Sequence, residues 1–463
     1  MHNKKVSNDL LADMISAVVV NERASFHTPG HKTRPSSFGK SENFRLQLSQ
    51  DVTELPGLDD LNNPTGVLLN LEKNLAILFG AKQTSLSVNG ASVALIAAFI
   101  ACAQFGKKAL IPRNLHRAAV SGICLSLLEP IWHEPLWNSE YGFYEGADAQ
   151  QIEKILQNEN DIACVLVVSP TYQGAISDIS AISAVCCKYD VTLIVDEAHG
   201  AHLFEAAGFR PSALSQGADL VVHSFHKTLS ALTQTGALHL GYNSKIGEEQ
   251  LRAVLNTLQS SSPNYLLMTS VELMLSHLST SKGMEQLNNV RLLAEKIRTT
   301  LVGLNLYSTF TSNGDNEPYH IVIRANAEID LASELRSRGI GIEADFDGAI
   351  LLLLGAGTTE EDVQTLLSAL EDIQSKTKFT PNSLAVTAPS KLSPPEINLA
   401  MSPASALRAA SRVVDRLDAL GQISAECIAP CPPGVPVVIP GQFIDEYVLN
   451  ITGIRSIRVI EKL

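Results

Sequence analysis

The chain has 463 residues, of which 45% are hydrophobic and 18% are charged. These proportions are close to the average of soluble globular proteins, so they exclude a wholly disordered chain, a collagen and a coiled coil. The 35 Lys and Arg residues against 48 Asp and Glu residues give a net charge of −13. Since that sign is wrong for a protein that neutralises phosphate backbones, we expect no nucleic-acid partner.

The cysteines and apolar runs indicate the compartment. The seven cysteines are an odd number, and no two have CxxC spacing. This favours neither a disulfide framework nor a zinc site, so the cytoplasm is the expected location and no metal is predicted. The longest strongly apolar stretch, Ala91 to Phe105, is too short to cross a bilayer. Asp9 and Asp13 interrupt the N-terminal apolar run, so we expect no signal peptide and no membrane partner.

Taken in chain order, the first predicted elements are helices, followed by strands. Asn8 to Val20 predicts an amphipathic helix capped by Asn8, and Val93 to Phe105 predicts an apolar helix. Continuous β-branched runs then alternate with helical patterns, which indicates an α/β fold whose mostly parallel sheet is covered by helices. The runs are Ala163 to Val168, Thr192 to Val195, Asp219 to Val222 and Gly236 to Leu240, with a helical pattern at Ser180 to Tyr189.

The second half of the chain predicts a smaller α/β domain and a C-terminal unit. A long helix over Gln286 to Leu304 precedes strands at Tyr319 to Ile323 and Ile350 to Leu354, with helices at Leu331 to Arg338 and Glu360 to Gln374. Ser402 to Leu420 predicts a further helix, and the prolines of 429–441 predict an extended loop. The predicted units are an N-terminal segment 1–50, a large domain 51–285, a small domain 286–374, a linker 375–398 and a C-terminal domain 399–463.

Asp196 to His202 (DEAHGAH) admits four interpretations. A helicase box would need an upstream phosphate loop, but Arg34 stands where the first glycine of the near match at Gly39 to Ser41 belongs. A metal site could use Asp196 and the two histidines, although their i, i+3 spacing in a glycine turn differs from that of helical zinc sites. Alternatively, Asp196 ends a buried strand as the partner of a protonated cofactor nitrogen, or it only caps a turn.

Lys227 follows another apolar strand, Asp219 to Val222, about one crossover unit after Asp196. A lysine at that place is either exposed to solvent or used covalently with a lowered pKa. Ser224 and His226 flank it and are suitable donors for a phosphate. Ser169, Pro170, Thr171 and Tyr172 follow the strand Ala163 to Val168, so the ends of three predicted strands carry polar residues. Ligands bind at such strand ends in parallel sheets.

Two further segments could contact a ligand. Ser87 to Ser92 (SVNGAS) is a glycine turn that opens a helix, so its free backbone N–H groups can bind an anion, and Ser92 adds a hydroxyl. Arg113 to Arg117 (RNLHR) follows an apolar run and contains His116. This histidine either stacks on an aromatic ring or is an ordinary loop residue.

Together, in this order, these segments resemble pyridoxal 5′-phosphate (PLP) enzymes of the aspartate-aminotransferase fold, and within them the ornithine/lysine/arginine decarboxylase family. Departures from the family pattern are Ala91, Leu115, Arg117 and Asn264. Because Phe26 to Lys32 lies near the start, we expect the short form without an N-terminal wing. Further matching segments are FHTPGHK, DVTELPGLDDLNNPTG, SPTYQGAISDI, HSFHKTLSALTQTGALHL, SSSPNYLLM and ISAECIAPCPPGVPVVIPG.

The resemblance implies roles for individual residues in a fold-type-I PLP domain. Lys227 resembles the lysine that binds the cofactor covalently, Asp196 the partner of the pyridine nitrogen and His116 the ring stacked on one cofactor face. Ala198 would pack on the other face, with His199 nearby, and Lys227 or His226 would return a proton to the substrate. The residues implied to hold the phosphate are Gly90, Ala91, Ser92, Ser224 and His226.

The resemblance also implies the reaction, the assembly and the substrate class. Ser260, Ser261 and Ser262 would reach the phosphate of the neighbouring subunit, which implies a homodimer or a multiple of dimers. The expected activity is decarboxylation of arginine, lysine or ornithine, linked to polyamine metabolism. Rivals are an α-oxoamine synthase, an aminotransferase and a binding protein without turnover. Candidate partners for the distal cation of the substrate are Glu54, Asp59, Asp60 and Glu426.

Overall fold

The computed structural model describes residues 10–21, 51–312, 316–326, 329–346, 348–377, 397–431, 433–450 and 454–461. The segment Phe26 to Lys32, the cap Asn8 and most of the predicted linker lie outside these ranges. No helix within them is both long and apolar enough to cross a membrane.

The helices are named in chain order. They are α1 Leu11–Asn21, α2 Val67–Phe79, α3 Gly90–Cys102, α4 Arg117–Ser126, α5 Ala149–Asn158, α6 Ile179–Lys188, α7 Phe225–Thr228, α8 Glu248–Leu258, α9 Tyr265–Leu278, α10 Ser281–Gly303, α11 Leu331–Ser337, α12 Glu360–Lys376, α13 Pro403–Arg408 and α14 Glu446–Leu449. Short 3₁₀ turns cover Ala103–Phe105, Glu205–Ala207 and Arg416–Ala419.

The strands are named in the same way. They are β1 Gln83–Ser87, β2 Lys108–Pro112, β3 Glu129–His133, β4 Trp137–Asn138, β5 Phe143–Tyr144, β6 Ile162–Val168, β7 Thr192–Asp196, β8 Leu220–Ser224, β9 Gly236–Leu240, β10 Tyr307–Thr309, β11 His320–Ala325, β12 Ala344–Phe346, β13 Ala349–Leu353, β14 Ser411–Asp415 and β15 Ser456–Ile460.

The large sheet has seven strands in the order β1-β9-β8-β7-β6-β2-β3. The pairings among β8, β7, β6, β2 and β3 are parallel, whereas β9 runs antiparallel to both of its neighbours. The predicted mostly parallel sheet is therefore confirmed. Strand β9 is the exception because only residues 225–235 separate it from β8, fewer than the dozen or more that a parallel crossover requires.

Helices cover both faces of this sheet, as the continuous apolar strands predict. On one face α3 packs on α4 and α8, and its buried side chains include Leu95 and Phe99. On the other face Leu193 and Val195 of β7 join a larger core with residues of α2 and α9. This burial fixes the strand ends, where the polar residues lie.

The smaller sheet has the antiparallel order β10-β11-β13-β12 and is accompanied by α10, α11 and α12. The predicted small α/β unit is thus present, although α10 already begins at Ser281. The boundaries at 285, 374 and 398 remain predictions.

The predicted helix over Ser402 to Leu420 is wrong. Helix α13 ends at Arg408, and Ser411–Asp415 instead forms strand β14, which pairs antiparallel with β15. The β-branched Val414 lies buried with Ile457 and Val459 in this pair, so tertiary pairing prevails over local helical preference. The C-terminal unit also packs on the large domain, since α13 contacts α4.

Candidate active site

The carboxyl ends of β7 and β8 bring the two principal predicted residues to one edge of the sheet. Asp196 is the last residue of β7 and is paired in register with Val222 of β8. Strand β8 ends at Ser224, and the single turn α7 then presents Lys227. Asp196 is only 6% exposed, and one of its oxygens accepts a hydrogen bond from the Ala198 N–H at 3.2 Å.

Lys227 is half-buried at this edge, and its Nζ atom lies 2.8 Å from His199 Nε2. Burial lowers the pKa of Lys227, while the charges of Asp196, Glu343 and Cys431 oppose that shift. A lowered pKa increases the neutral fraction of the amine, which is the nucleophilic form. The position therefore suits a lysine that makes a covalent bond.

His116 caps the N-terminus of α4, where its Nδ1 atom accepts from the Ala118 N–H at 3.2 Å. Burial lowers its pKa, and the charges of Asp196 and Lys227 also act on it, so the three side chains share one site. Gly434, from the proline-rich C-terminal loop, abuts the His116 ring: a Cβ at this glycine would lie 2.9 Å from two ring atoms. The sequence did not predict this contact.

The predicted phosphate site lies where α3 begins. Asn89 is the N-cap but makes no side-chain capping bond, so its side chain does not occupy the first N–H groups of the helix. Gly90 adopts φ +79°, which favours glycine. Gly236 of β9 is paired with Ser224, and a Cβ there would lie 2.9 Å from the Ala91 nitrogen. The turn Gly90–Ser92 and Ser224 are therefore neighbours.

His226 and Ala198 complete the predicted contacts. A His226 Nδ1–H can donate to the Thr235 carbonyl oxygen at 3.2 Å, and burial lowers the pKa of this histidine. Ala198 is buried two residues after Asp196. The donor set fits PLP: a helix N-terminus with two hydroxyls for phosphate, a buried carboxylate for the ring nitrogen, and an amine of lowered pKa.

The three serines of the predicted subunit contact lie exposed on the protomer surface at 260–262. The Ser260 N–H donates to Asn89 Oδ1 at 3.2 Å, so this segment adjoins the start of α3 in its own chain. Their contact with a neighbouring subunit stays a prediction.

The predicted substrate carboxylates make other contacts. Glu54 Oε2 accepts from the Thr53 hydroxyl at 2.6 Å, and Asp60 accepts from the Asn62 N–H at 2.8 Å. Asp59 accepts from four backbone N–H groups around the start of α2, which is a structural role. Glu426 accepts from the Arg458 N–H at 2.5 Å in the C-terminal unit.

A carboxylate that the sequence did not indicate acts on Lys227 instead. Glu343, just before β12 of the small sheet, exerts its charge on the Lys227 amine and accepts a hydrogen bond from the Tyr172 hydroxyl at 2.8 Å. The Tyr172 ring in turn lies edge-on to His199, with 5.4 Å between ring centroids. No sequence signal marked Glu343, because its approach depends on how the two sheets meet.

A chain of buried polar side chains continues from His199 into the small domain. His199 Nδ1 lies 3.0 Å from His320 Nε2, and His320 Nδ1 is hydrogen-bonded to Glu317. The other oxygen of Glu317 accepts from His202 Nε2 at 2.6 Å. The second histidine of DEAHGAH, His202, is thus hydrogen-bonded to Glu317. Among the described residues no group of three or more His, Cys, Asp or Glu could hold a metal ion.

Fold and site together define a PLP-dependent enzyme of fold type I. The family described as "Orn/Lys/Arg decarboxylase, major domain" matches residues 11–316, and the chain belongs to this family. It is therefore a decarboxylase with PLP as its cofactor, as the resemblance implied, and the synthase, aminotransferase and non-catalytic alternatives are set aside.

Two relatives of similar length are arginine decarboxylases. That of Halalkalibacterium halodurans is 30% identical over 96% of this chain and 92% of its own length. That of Bacillus subtilis is 30% identical over 91% of this chain and 88% of its own. The crystal structure of a Francisella novicida lysine decarboxylase superposes with a TM-score of 0.76 over 97% of this chain and 81% of that chain, at 18% identity. This last likeness supports the fold alone.

Proposed function

We propose that the chain removes carbon dioxide from a basic L-amino acid, with arginine as the first candidate substrate. The observation that carries the proposal is the Lys227 amine, whose pKa is lowered by burial, on the strand edge that holds Asp196. Arginine is preferred because two relatives that are 30% identical, matched over 92% and 88% of their own length, are arginine decarboxylases, whereas the lysine decarboxylase of Escherichia coli matched over 73% of its length is only 22% identical.

Each residue of the site has a task in this reaction. Bound PLP supplies the electron sink for the bond that breaks at the substrate α-carbon. Asp196 would keep a proton on the ring nitrogen of bound PLP, and Lys227 would hold the cofactor covalently. His116 and Ala198 would hold the ring, and Lys227 or His226 would return a proton to the α-carbon.

Glu343 is the first candidate to pair with the distal cation of the substrate. It lies close enough to Lys227 to act on its pKa and already accepts a hydrogen bond from Tyr172. A guanidinium offers five N–H donors in a planar fork that matches a carboxylate. Glu54, Asp60 and Glu426 remain alternatives.

We further propose a cytoplasmic homodimer, or a multiple of dimers, with Ser260 to Ser262 reaching the cofactor phosphate of the partner subunit. The exposure of these serines beside Asn89 supports a surface that a second subunit can cover.

The amine product would enter polyamine synthesis. The domain limits proposed from the sequence complete this description, with the cofactor on 51–285 and the smaller units after it.

Carbon dioxide release from arginine, lysine, ornithine and norleucine tests the function. Norleucine matches lysine in length but lacks the charge, so we expect at least one basic amino acid to react about a hundredfold faster. Equal turnover of norleucine would argue against the distal pairing. Absence of carbon dioxide from all four would refute the proposed substrate class.

A further inference from the structure

Glu317 sets the direction of the hydrogen bonds between the small domain and Lys227. Its two oxygens also accept from the backbone N–H groups of Tyr319 at 2.8 Å and His320 at 3.1 Å. A carboxylate only accepts, so His320 Nδ1 must donate to it. Neutral His320 then accepts at Nε2 from His199 Nδ1–H, which leaves the His199 Nε2 lone pair facing Lys227 Nζ.

We propose that His320, paired with Glu317, stores the proton that Lys227 must lose to become a nucleophile. The Lys227 Nζ proton passes to His199 Nε2, while the His199 Nδ1 proton passes to His320 Nε2. The positive charge moves from Lys227 to His320, where Glu317 neutralises it. The number of protons and the net charge of the group are unchanged, so no exchange with water is needed.

The burial and charges of the chain suit this transfer. His202, His320 and Glu317 are fully buried and His199 is 9% exposed, so water does not compete for their bonds. Burial disfavours an ionised Glu317, but the charges and hydrogen bonds of His202 and His320 hold its pKa well below the usual range. Burial and the charge of Lys227 lower the pKa of His199 well below its usual range, so the proton passes through His199 without staying there.

Other titratable and charged groups face the same chain. Those acting on Lys227 are Asp196, Glu343 and Cys431. Those acting on His199 besides Lys227 and His320 are His116 and His202, with the Tyr172 ring edge-on. Arg298 lies near Glu317 but donates to the carbonyl oxygens of Glu317, Pro318 and His320 rather than to the carboxylate.

Competitive acetylation of the full chain without added cofactor tests whether His320 takes up the proton of Lys227. Acetic anhydride modifies only neutral amines, so an ordinary lysine reacts about tenfold more slowly for each pH unit below its pKa. If His320 accepts the proton, the form with neutral Lys227 and charged His320 holds the same total number of protons as the form with charged Lys227 and neutral His320. The ratio of the two forms then does not depend on pH. The Lys227 rate, measured by mass spectrometry, should therefore reach a plateau as the pH falls, while the rate of the exposed Lys107 continues to fall.

One variant removes the proton acceptor, a second weakens it and a third serves as a control. His320→Phe keeps a ring but no acceptor, so the plateau should become a tenfold fall per unit. Glu317→Gln should lower the plateau by about tenfold because charged His320 loses its ion partner. Glu197→Gln removes a comparable buried pair, in which Glu197 Oε2 lies 2.8 Å from His223 Nε2, and should leave the plateau in place.

The wild-type chain alone can overturn the proposal, since a continuous fall without a plateau contradicts it even where a variant fails to fold. A plateau that survives in folded His320→Phe would also overturn it, and Glu317→Asp, which keeps the carboxylate, should restore most of the plateau. The inference rests on the covalent role proposed for Lys227. Failure of this inference can be distinguished from failure of the proposed function, because loss of carbon dioxide release with an intact plateau counts against the proposed reaction only.

Discussion

Two regions of different construction meet at Lys227. The edge of the large sheet supplies Asp196 and Ser224 from the ends of neighbouring strands, and Lys227 from the single turn α7 that follows. The facing region is assembled from separate segments, which contribute Glu317, His320, Glu343 and the loop at Gly434. The first region lies within one set of parallel strands, whereas the second combines residues at or just before β11 and β12 with a C-terminal loop, and His320 and His199 link it to Lys227 through side-chain hydrogen bonds.

This difference indicates which region carries the groups needed for the reaction and which region adjusts substrate choice and protonation. Backbone pairing in a buried parallel sheet fixes atoms firmly, so groups needed in the transition state belong there. The facing segments reach the site from another sheet and from the C-terminal loop, so they suit selection of the substrate and tuning of protonation. Substitutions on the sheet edge should abolish the reaction, and those on the facing side should reduce or redirect it.

The largest effect should come from Lys227→Ala. Without the amine no covalent attachment is possible, so turnover should fall to background. Borohydride reduction of the wild type should leave the cofactor on the peptide that contains Lys227. Cofactor found on another lysine would contradict the assignment, and Lys107→Ala, at an exposed lysine, is the control that should retain activity.

Asp196→Asn should cost about a thousandfold or more in kcat, because the amide cannot hold a proton on the ring nitrogen while the shape of the cavity is kept. Cofactor content, measured by absorbance after denaturation, should fall much less than kcat. Asp219→Asn provides a matched control, since Asp219 lies away from the site. Its carboxylate accepts a hydrogen bond from the Leu193 N–H at 2.8 Å. Near-normal turnover of the Asp196 variant would remove it from the mechanism.

Sequence reasoning reached the sheet edge because continuous apolar runs and the polar residues after them define strand ends directly. Strand ends predicted Asp196 and Lys227 at one edge, whereas His116 and the start of α3 were added only by the family resemblance; in the structure the charges of Asp196 and Lys227 act on His116. It missed Glu343, His320 and Glu317, which approach the site only through docking of the small sheet. It also misassigned Ser411–Asp415, because the partner strand β15 lies about 40 residues later and its pairing has no local signal.

On the facing side, Gly434→Ala should reduce kcat/KM by about a hundredfold. The new Cβ would meet the His116 ring at 2.9 Å and shift it, and misplacement of a group beside the reacting atoms by an ångström has a cost of that size. Gly421→Ala is the matched control, because Gly421 lies in the same unit at φ +73° but has no atom within 4 Å of its Cβ position. Similar losses in both variants would mean that backbone strain, and not the ring, is responsible.

The smallest effect should follow from Glu343→Gln, which preserves shape and removes one charge. Glu343 is exposed in the protomer, so screening by water reduces the free energy of its ion pair well below that of a buried one. We expect KM for arginine to rise about tenfold with kcat nearly unchanged, since a distal pairing contributes equally to the ground state and the transition state. The equivalent Gln variants of Glu54 and Glu426, and Asp60→Asn, should leave KM unaltered if Glu343 is the partner. A rise in KM for norleucine as large as that for arginine would show that Glu343 supports the site through Tyr172 and does not recognise the cation.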